Sequence, residues 1–417
     1  MRASPSAPAR AWFETHGVLA RFLADAIAGD LQALRPGGAK PATPPWSPDL
    51  VIAEDGLGAD SIERLAIASA LSETLQLHVS GNEDLLLARR NFGQWVEVAA
   101  SSLRHYSARL VFRTSGTTGK PKPCMHPLAD LEQEAQYLCN ALAGTRRVLA
   151  AVPSHHIYGF LFTVLLPLRL GGIEVVDIRQ VPPSALPGLM SPGDLVVSHP
   201  VHWALVARYA GALPEGVCGV TSTAPCPPEL AQALTAENGL RRLMQMYGSS
   251  ETAGVGFREA STLPFQLLPF WRRDAADPLR LVRRASDGTE KNVTLQDRLE
   301  WVDPHHFTLR ARLDNAVQVA GVNVFPERVR EVLLQHPQVA DAAVRLMAEH
   351  EGERLKAFVV PVAGTDPQAL AAELERWATA HLTAPERPKA FAFGAQLPVD
   401  ERSKLADWPA AQGAAAR

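Results

Sequence analysis

The stretch Val111-Phe112-Arg113-Thr114-Ser115-Gly116-Thr117-Thr118-Gly119-Lys120-Pro121-Lys122-Pro123 concentrates more reactive chemistry than any other in the chain. Its glycines let the backbone turn tightly and aim several N–H groups into one concavity, and such a nest binds anions. The hydroxyls of Thr114, Ser115, Thr117 and Thr118 add donors, and Lys120 and Lys122 add positive charge. Phosphate is the guest that this chemistry suits. A Walker loop needs four residues between its first glycine and Gly-Lys-Ser/Thr. Here two residues separate Gly116 from Gly119, and Pro121 follows the lysine, which argues against a P-loop NTPase.

Three further constellations accompany it. Pro153-Ser154-His155-His156-Ile157-Tyr158-Gly159-Phe160 sets paired imidazoles and a phenol at what reads as a strand end, before an apolar helix. Ser222-Thr223-Ala224-Pro225-Cys226-Pro227 is a turn of small residues, suited to a flat ligand lying against backbone. Met246-Tyr247-Gly248-Ser249-Ser250-Glu251-Thr252 joins an aromatic ring, a glycine, hydroxyls and a carboxylate. A carboxylate beside hydroxyls can hold Mg²⁺ against nucleotide phosphates, because Mg²⁺ prefers one or two carboxylates plus phosphate oxygens and water.

Together these stretches resemble the signatures of the ANL superfamily of adenylate-forming enzymes, which comprises acyl- and aryl-CoA synthetases, peptide-synthetase adenylation domains and beetle luciferases. The family's T-S-G-T-T-G-x-P-K is complete at Thr114–Lys122, and its Y-G-x-T-E is met as Tyr247-Gly248-Ser249-Ser250-Glu251 with serine for threonine. The T-G-D aspartate is matched by Asp297, with Leu295 and Gln296 in place of Thr-Gly. Fifteen positions on, Arg312 matches the G-R-x-D arginine after Ala311 in place of glycine. Lys404 matches the final lysine of L-P-x-x-x-x-G-K, with Ser403 for glycine. The resemblance spans roughly residues 109–406, with the motifs in family order.

That resemblance implies an α/β fold of the ANL type: a large N-terminal α/β domain with mostly parallel sheets and a small mobile α+β C-terminal domain. It implies ATP and Mg²⁺ as cofactors and a two-step reaction. A carboxylate attacks the α-phosphate of ATP to give an acyl-adenylate and pyrophosphate, and a pantetheine thiol of CoA or an acyl carrier protein then displaces AMP. Carried over residue by residue, Ser115, Thr117, Thr118 and Lys122 hold the β/γ-phosphates, with Thr114, Gly116 and Gly119 part of the same ATP-binding stretch. Ser250 contacts the α-phosphate and Glu251 holds Mg²⁺. Tyr247, with Ala224 and Pro225, flanks the adenine, Gly248 and Ser249 belong to the same ATP-binding motif, and Asp297 and Arg312 grip the ribose. Asp314 is the expected hinge, Gly321 lines the pantetheine tunnel, and Lys404 bridges carboxylate and α-phosphate.

The acyl pocket is expected from His156, Tyr158, Gly159, His199, Ser222, Thr223 and Met244, with His156 a better match than His155 to the family's residue beside the acid. That mix suits a planar hydroxylated acid, a hydroxybenzoate or cinnamate, better than a long alkyl chain. A fatty acyl-CoA synthetase, a luciferase-like fate for the acyl-adenylate, and a degenerate nucleotide-binding module are the alternatives.

The elements that must position these residues follow from pattern. Residues 1–108 read as a helical N-terminal region, 109–313 as an adenylation core of short apolar runs alternating with helices, and 314–417 as the C-terminal lid. Helices are expected over 17–34, 60–77 and 82–103. Leu57-Gly58-Ala59-Asp60-Ser61-Ile62 resembles the phosphopantetheine site of acyl carrier proteins, which would place the arm on Ser61. The same residues also read as an Asp60/Glu63 capping pair opening a helix with a buried stripe of Ile62, Leu65, Ala68, Leu71 and Leu75. A shortened helical part of the adenylation domain is the favoured reading.

Composition bounds the rest. The 417 residues are 47% hydrophobic and 20% charged with net charge −3, ordinary for a globular protein and without the basic excess that favours nucleic acid or anionic membranes. Four cysteines without C-x-x-C spacing, no run of 18 apolar residues and no leader pattern make the cytoplasm the expected location.

Overall fold

The computed structural model describes residues 11–36, 38–114, 122–277, 279–312, 316–319, 322–348, 351–352, 354–398 and 405–409. They fall into two compact units, the first made of 11–31, 41–114 and 123–311, the second chiefly of 312–409 with 32–40.

In the first unit, helix Val18–Leu34 buries Leu19, Phe22, Leu23, Ile27 and Leu31, the three- and four-residue spacing of a core-facing stripe. This N-terminal helix shares one hydrophobic core with Val197 and Val255 of the central sheet, with Phe112 on strand Arg109–Thr114 and with Phe160 on helix Ile157–Phe160. Aromatic rings cluster there: Trp12 lies 5.4 Å from Phe22 and 5.1 Å from Phe160, and Phe160 lies 5.5 Å from Phe112.

Helix Ser61–Leu75 opens with a reciprocal cap, in which Asp60 Oδ1 accepts the Glu63 N–H at 2.8 Å and Glu63 Oε2 accepts the Asp60 N–H at 3.1 Å. Its buried face differs from the expected stripe. Ile67, Ala68, Leu71 and Leu75 are buried, whereas Ile62 is 77% and Leu65 54% exposed. The helix turns its C-terminal half inward and its first two turns outward. The single helix expected over 82–103 is two, Leu85–Ala88 and Phe92–His105. Between them Asn91 forms an antiparallel bridge with Val51, and Gln94 Oε1 accepts the Asn91 N–H at 3.3 Å, so the second helix starts afresh.

The central sheet has nine strands in the order 297–301, 306–312, 265–267, 253–258, 242–249, 218–221, 194–198, 147–150, 174–177. From Glu174–Asp177 to Arg242–Ser249 the pairings are parallel, and from there to Phe265–Leu267 they are antiparallel. The change follows from connection length. Parallel neighbours need a crossover of a dozen or more residues, whereas only Ser250–Thr252 join Arg242–Ser249 to Ala253–Arg258. Every residue of Asp194–Ser198 is buried, as a strand covered on both faces requires. Leu195, Val197, Val220 and Met244 face the core shared with the N-terminal helix, and Leu149, Val196 and Leu243 face a second core around Trp203. A three-stranded antiparallel sheet, Trp271–Arg273, Arg280–Arg284 and Glu290–Thr294, fills the region before Asp297. Strands Arg109–Thr114 and Lys122–Pro127 pair with each other and bracket the phosphate stretch.

The second unit contains the hairpin Val317–Val319/Val322–Val324, helix Pro326–Leu334, antiparallel strands Val339–Leu346 and Leu355–Pro361, helix Pro367–His381 and the parallel strand Ala390–Phe393. Its core includes Val329, Leu333, Leu355, Val359, Leu370 and Leu374. Lys356 is 1% exposed, and its ammonium donates to Glu351 at 2.8 Å and to the Trp408 carbonyl at 2.6 Å. Arg345 donates to the Leu405 carbonyl at 2.6 Å, which ties down the segment following Lys404. Among the described residues no helix is long and apolar enough to cross a membrane.

Candidate adenylate and acyl site

Strand Arg242–Ser249 ends on Tyr247, Gly248 and Ser249, and the tight turn from it to Ala253–Arg258 carries Ser250 and Glu251. Tyr247 donates its hydroxyl to Asp297 Oδ2 at 3.0 Å, which brings together two residues fifty positions apart that the family pattern assigns to one nucleoside. The tyrosine ring packs on Phe265 and Phe307. A Cβ on Gly248 would stand 2.1 Å from the Ala253 carbonyl oxygen, so the turn closes only with glycine there. The Ser249 amide donates to Thr252 Oγ1 at 3.0 Å, and the Glu251 amide donates to Ser249 Oγ at 3.2 Å. Both hydroxyls serve the backbone, a local turn that presents Ser250 and Glu251 at the partly open surface.

Residues unmarked by any family motif hold this turn from behind. His126 Nε2 lies 2.6 Å from the Ser250 carbonyl oxygen. Both carboxylate oxygens of Glu134 accept the Gly254 N–H, at 3.1 and 3.2 Å, and Trp271 Nε1 donates to the Gly254 carbonyl at 2.7 Å. Glu134 is fully buried, and burial pushes its carboxyl up to about 7 despite the opposing effects of Arg283 and the Gly254 amide. The sequence held a signal for it. Glu134 sits on the same helix face as Leu131, Ala135 and Leu138, and a carboxylate on an apolar stripe needs a partner. His126 likewise alternates with Cys124 on the buried side of its strand.

The small-residue turn stands beside Tyr247. Thr221 pairs with Gln245 in the sheet, and Ser222 donates its hydroxyl to the Met246 carbonyl at 3.1 Å. Thr223 takes φ +77°, a left-handed conformation that threonine rarely adopts, and this turns Ala224 and Pro225 toward the open side.

The rings of the paired histidines lie 4.1 Å apart, centroid to centroid. His155 turns against the N-terminal helix, where a Cβ on Gly29 would come 2.8 Å from its Nε2. Loss of solvation, with His156 and Arg179 nearby, holds it neutral, well below its usual range. His156 is exposed. The turn carrying both is fixed by Asp25, whose Oδ2 accepts the Ser154 amide at 2.7 Å and the Ser154 hydroxyl at 2.6 Å. Arg179 bridges Asp25 at 2.7 Å to Asp177. This network was not legible as a motif, because its members lie up to 154 positions apart.

Tyr158 donates to the Ser198 carbonyl at 3.0 Å, and burial pushes its hydroxyl well above the usual range, so it remains a donor. Gly159 is buried, and its missing Cβ would meet the Pro153 carbonyl at 1.9 Å, so its role is close backbone approach. His199 caps helix Pro200–Tyr209, accepting the His202 amide at 3.4 Å. Met244 is fully buried in the core.

Thr114 ends the strand before the phosphate stretch, and Lys122, exposed, opens the strand after it. Ser115, Gly116, Thr117, Thr118, Gly119, Asp314, Gly321 and Lys404 lie outside the described residues, as do the side chains of Thr114 and Arg312.

The comparisons with known proteins bear on the family of the chain. The sequence profile of the AMP-binding enzymes matches residues 50–277, and that of the AMP-binding enzyme C-terminal domain matches residues 329–404. The chain is 38% identical to the 4-coumarate--CoA ligase of Halorhodospira halophila over 390 residues, which cover 92% of this chain and 97% of that one. It is 41% identical to the 4-coumarate--CoA ligase of Rhodobacter capsulatus over 368 residues, 86% of this chain and 91% of that one. The short region ahead of the phosphate stretch is thus shared with proteins of the same extent. The amide bond synthetase of Marinactinospora thermotolerans has the same fold, with a TM-score of 0.58 at 18% identity over 93% of this chain and 92% of that one. Profile matches over both units and close relatives along nearly the whole length converge: the chain belongs to the AMP-binding enzyme family, within the ANL superfamily of adenylate-forming enzymes, and is an ATP-using acid–thiol ligase.

Proposed function

We propose that this protein activates a 4-coumarate-like aryl acid, a hydroxycinnamate or the shorter hydroxybenzoate, as its acyl-adenylate and transfers the acyl group to CoA. The observation that carries this reading is similarity along nearly the whole chain to proteins named 4-coumarate--CoA ligase. Those names favour CoA over a carrier protein as acceptor. The mix of phenol, imidazole and hydroxyls that Tyr158, His199, Ser222 and Thr223 would bring to the acid favours an aryl acid over a long alkyl one.

In the first step a carboxylate oxygen of the acid bonds to the α-phosphorus of ATP as the bond to pyrophosphate breaks. Negative charge gathers around phosphorus, and a preorganised donor aimed at such charge is worth ~3 kcal/mol. Ser250 takes the α-phosphate and Thr114–Lys122 the β/γ end, while Lys404 bridges the carboxylate and the α-phosphate. A single carboxylate beside hydroxyls, as at Glu251, fits a Mg²⁺ ion that completes its shell from phosphate oxygens and water. Bound there, the ion supplies positive charge to the leaving pyrophosphate. Asp297, kept in one rotamer by the Tyr247 hydroxyl, grips the ribose with Arg312, and adenine lies between Tyr247 and Ala224-Pro225. His156, on its Asp25-anchored turn, borders the acid. Asp314 then serves as the hinge. In the second step the CoA thiolate, entering past Gly321, attacks the acyl carbonyl and AMP leaves with the electron pair of the broken C–O bond.

Acid-dependent ATP–pyrophosphate exchange with 4-coumarate, 4-hydroxybenzoate and palmitate, followed by detection of the CoA thioester, tests the reading. Exchange with an aryl acid and a CoA thioester are expected. Exchange with palmitate alone would make it a fatty acyl ligase, and an acyl-adenylate that CoA does not consume would remove CoA as acceptor.

A further inference from the structure

We infer that His126 is a positioning residue that sets the Ser250–Glu251 peptide for adenylation through a hydrogen bond to the Ser250 carbonyl. The inference rests on the proposed role of Ser250 and Glu251 at the α-phosphate and its cation. His126 is 8% exposed, and its Nε2 lies 2.6 Å from the Ser250 oxygen across 124 positions of sequence. A carbonyl oxygen only accepts, so Nε2 carries the proton and donates. The other end of the turn is pinned separately, by Glu134 and Trp271 at the Gly254 amide and carbonyl. Glu251 lies between the two anchors, so the direction of the Ser250 carbonyl fixes how Ser250 and Glu251 face a ligand.

The position of His126 gives this bond a second consequence. It sits four residues after Lys122 on the strand leaving the phosphate stretch, and its ring lies 6.0 Å from Phe112 on the strand entering that stretch. One imidazole therefore joins both flanks of the phosphate stretch to the turn carrying Ser250 and Glu251. Packing alone does not call for it, since an apolar side chain would fill the same space without the cost of burying an imidazole.

The test compares H126N and H126Q in the full chain. The glutamine amide nitrogen reaches close to where Nε2 stands, whereas the asparagine amide is too short for the Ser250 carbonyl. In pyrophosphate exchange, H126N is expected to raise the KM for Mg-ATP and lower kcat, each by ~10-fold, while the KM for the acid stays within about twofold. H126Q is expected to restore both to within about threefold. Calorimetric titration with Mg-ATP supplies a second reading independent of turnover: weakened binding in H126N and recovery in H126Q. Equal behaviour of the two variants, or loss of acid and ATP affinity together, would overturn the inference as a general packing effect. Absence of exchange in the wild type with every acid would count against the proposed function, and the titration would still judge His126.

Discussion

The turn Tyr247–Gly254 and the helix Ser61–Leu75 belong to the same compact unit and are built on opposite terms. The turn is held from afar: His126 takes the Ser250 carbonyl, Glu134 and Trp271 take Gly254, and Asp297 takes the Tyr247 hydroxyl. The helix is capped by its own Asp60 and Glu63, packs one face into the core, and leaves Ile62 and Leu65 to solvent. The contrast teaches where substitution is felt. A segment whose backbone is specified by distant polar partners tolerates little, whereas a helix with a single buried face tolerates much on the other.

Substitutions sharpen this comparison, the largest effect first. Gly248→Ala must move the Ala253 carbonyl, which lies 2.1 Å from the new Cβ, and is expected to cut pyrophosphate exchange by ~100-fold or more. Exchange within threefold of the wild type would show that the turn gives way easily. Leu71→Ala, at a position 1% exposed in the helix, is expected to cost ~3 kcal/mol in denaturant unfolding. Glu134→Gln removes a buried carboxyl raised to about 7. A raised carboxyl contributes stability that is present below about 4.5 and lost as pH climbs to about 7, so the variant is expected to flatten the Tm–pH curve across that window, by on the order of 3 kcal/mol at its upper end. An unchanged slope would assign the pH dependence to other groups, Asp30 foremost, which burial raises to about 6. At the small end, Ile62→Gln is expected within ±0.5 kcal/mol of the wild type, because the side chain it replaces is 77% exposed. A loss above about 2 kcal/mol there would mean the outer face is covered in solution.

The Asp60-Ser61 pair bears on the same contrast. Its reading as a carrier-like arm competes with the capping box, and the observed reciprocal bonds account for Asp60 and Glu63 without any arm. Co-expression with a phosphopantetheinyl transferase is expected to leave the intact mass unchanged.

Much of the geometry of the Tyr247–Gly254 segment was legible because its contacts are local. Gly248 must be glycine for a turn closed by its own neighbour Ala253, and Ser249 and Thr252 bond within the same few residues, so motif and geometry coincide. The Tyr247–Asp297 bond joins two residues that the family pattern had already assigned to one nucleoside. Asp25, His126 and Glu134 were missed for the opposite reason, since each acts on backbone more than 100 positions away. The helix over 60–77 was legible as a helix, but its buried face was misjudged at Ile62 and Leu65, because a 3.6-residue period marks apolar positions without saying which will meet a neighbour.

The sequence by itself determined the helix over 60–77 with its Asp60/Glu63 cap and the family to which the motif order points. Those rest on φ restrictions, capping and charge, which act within a few residues. Tertiary structure decided where the parallel sheet gives way to antiparallel strands, which half of helix Ser61–Leu75 is buried, and which buried imidazole and carboxylate stand behind the turn at Ser250–Thr252. Burial and long-range hydrogen bonds are properties of surfaces that meet, and no single stretch of chain contains both sides of such a meeting.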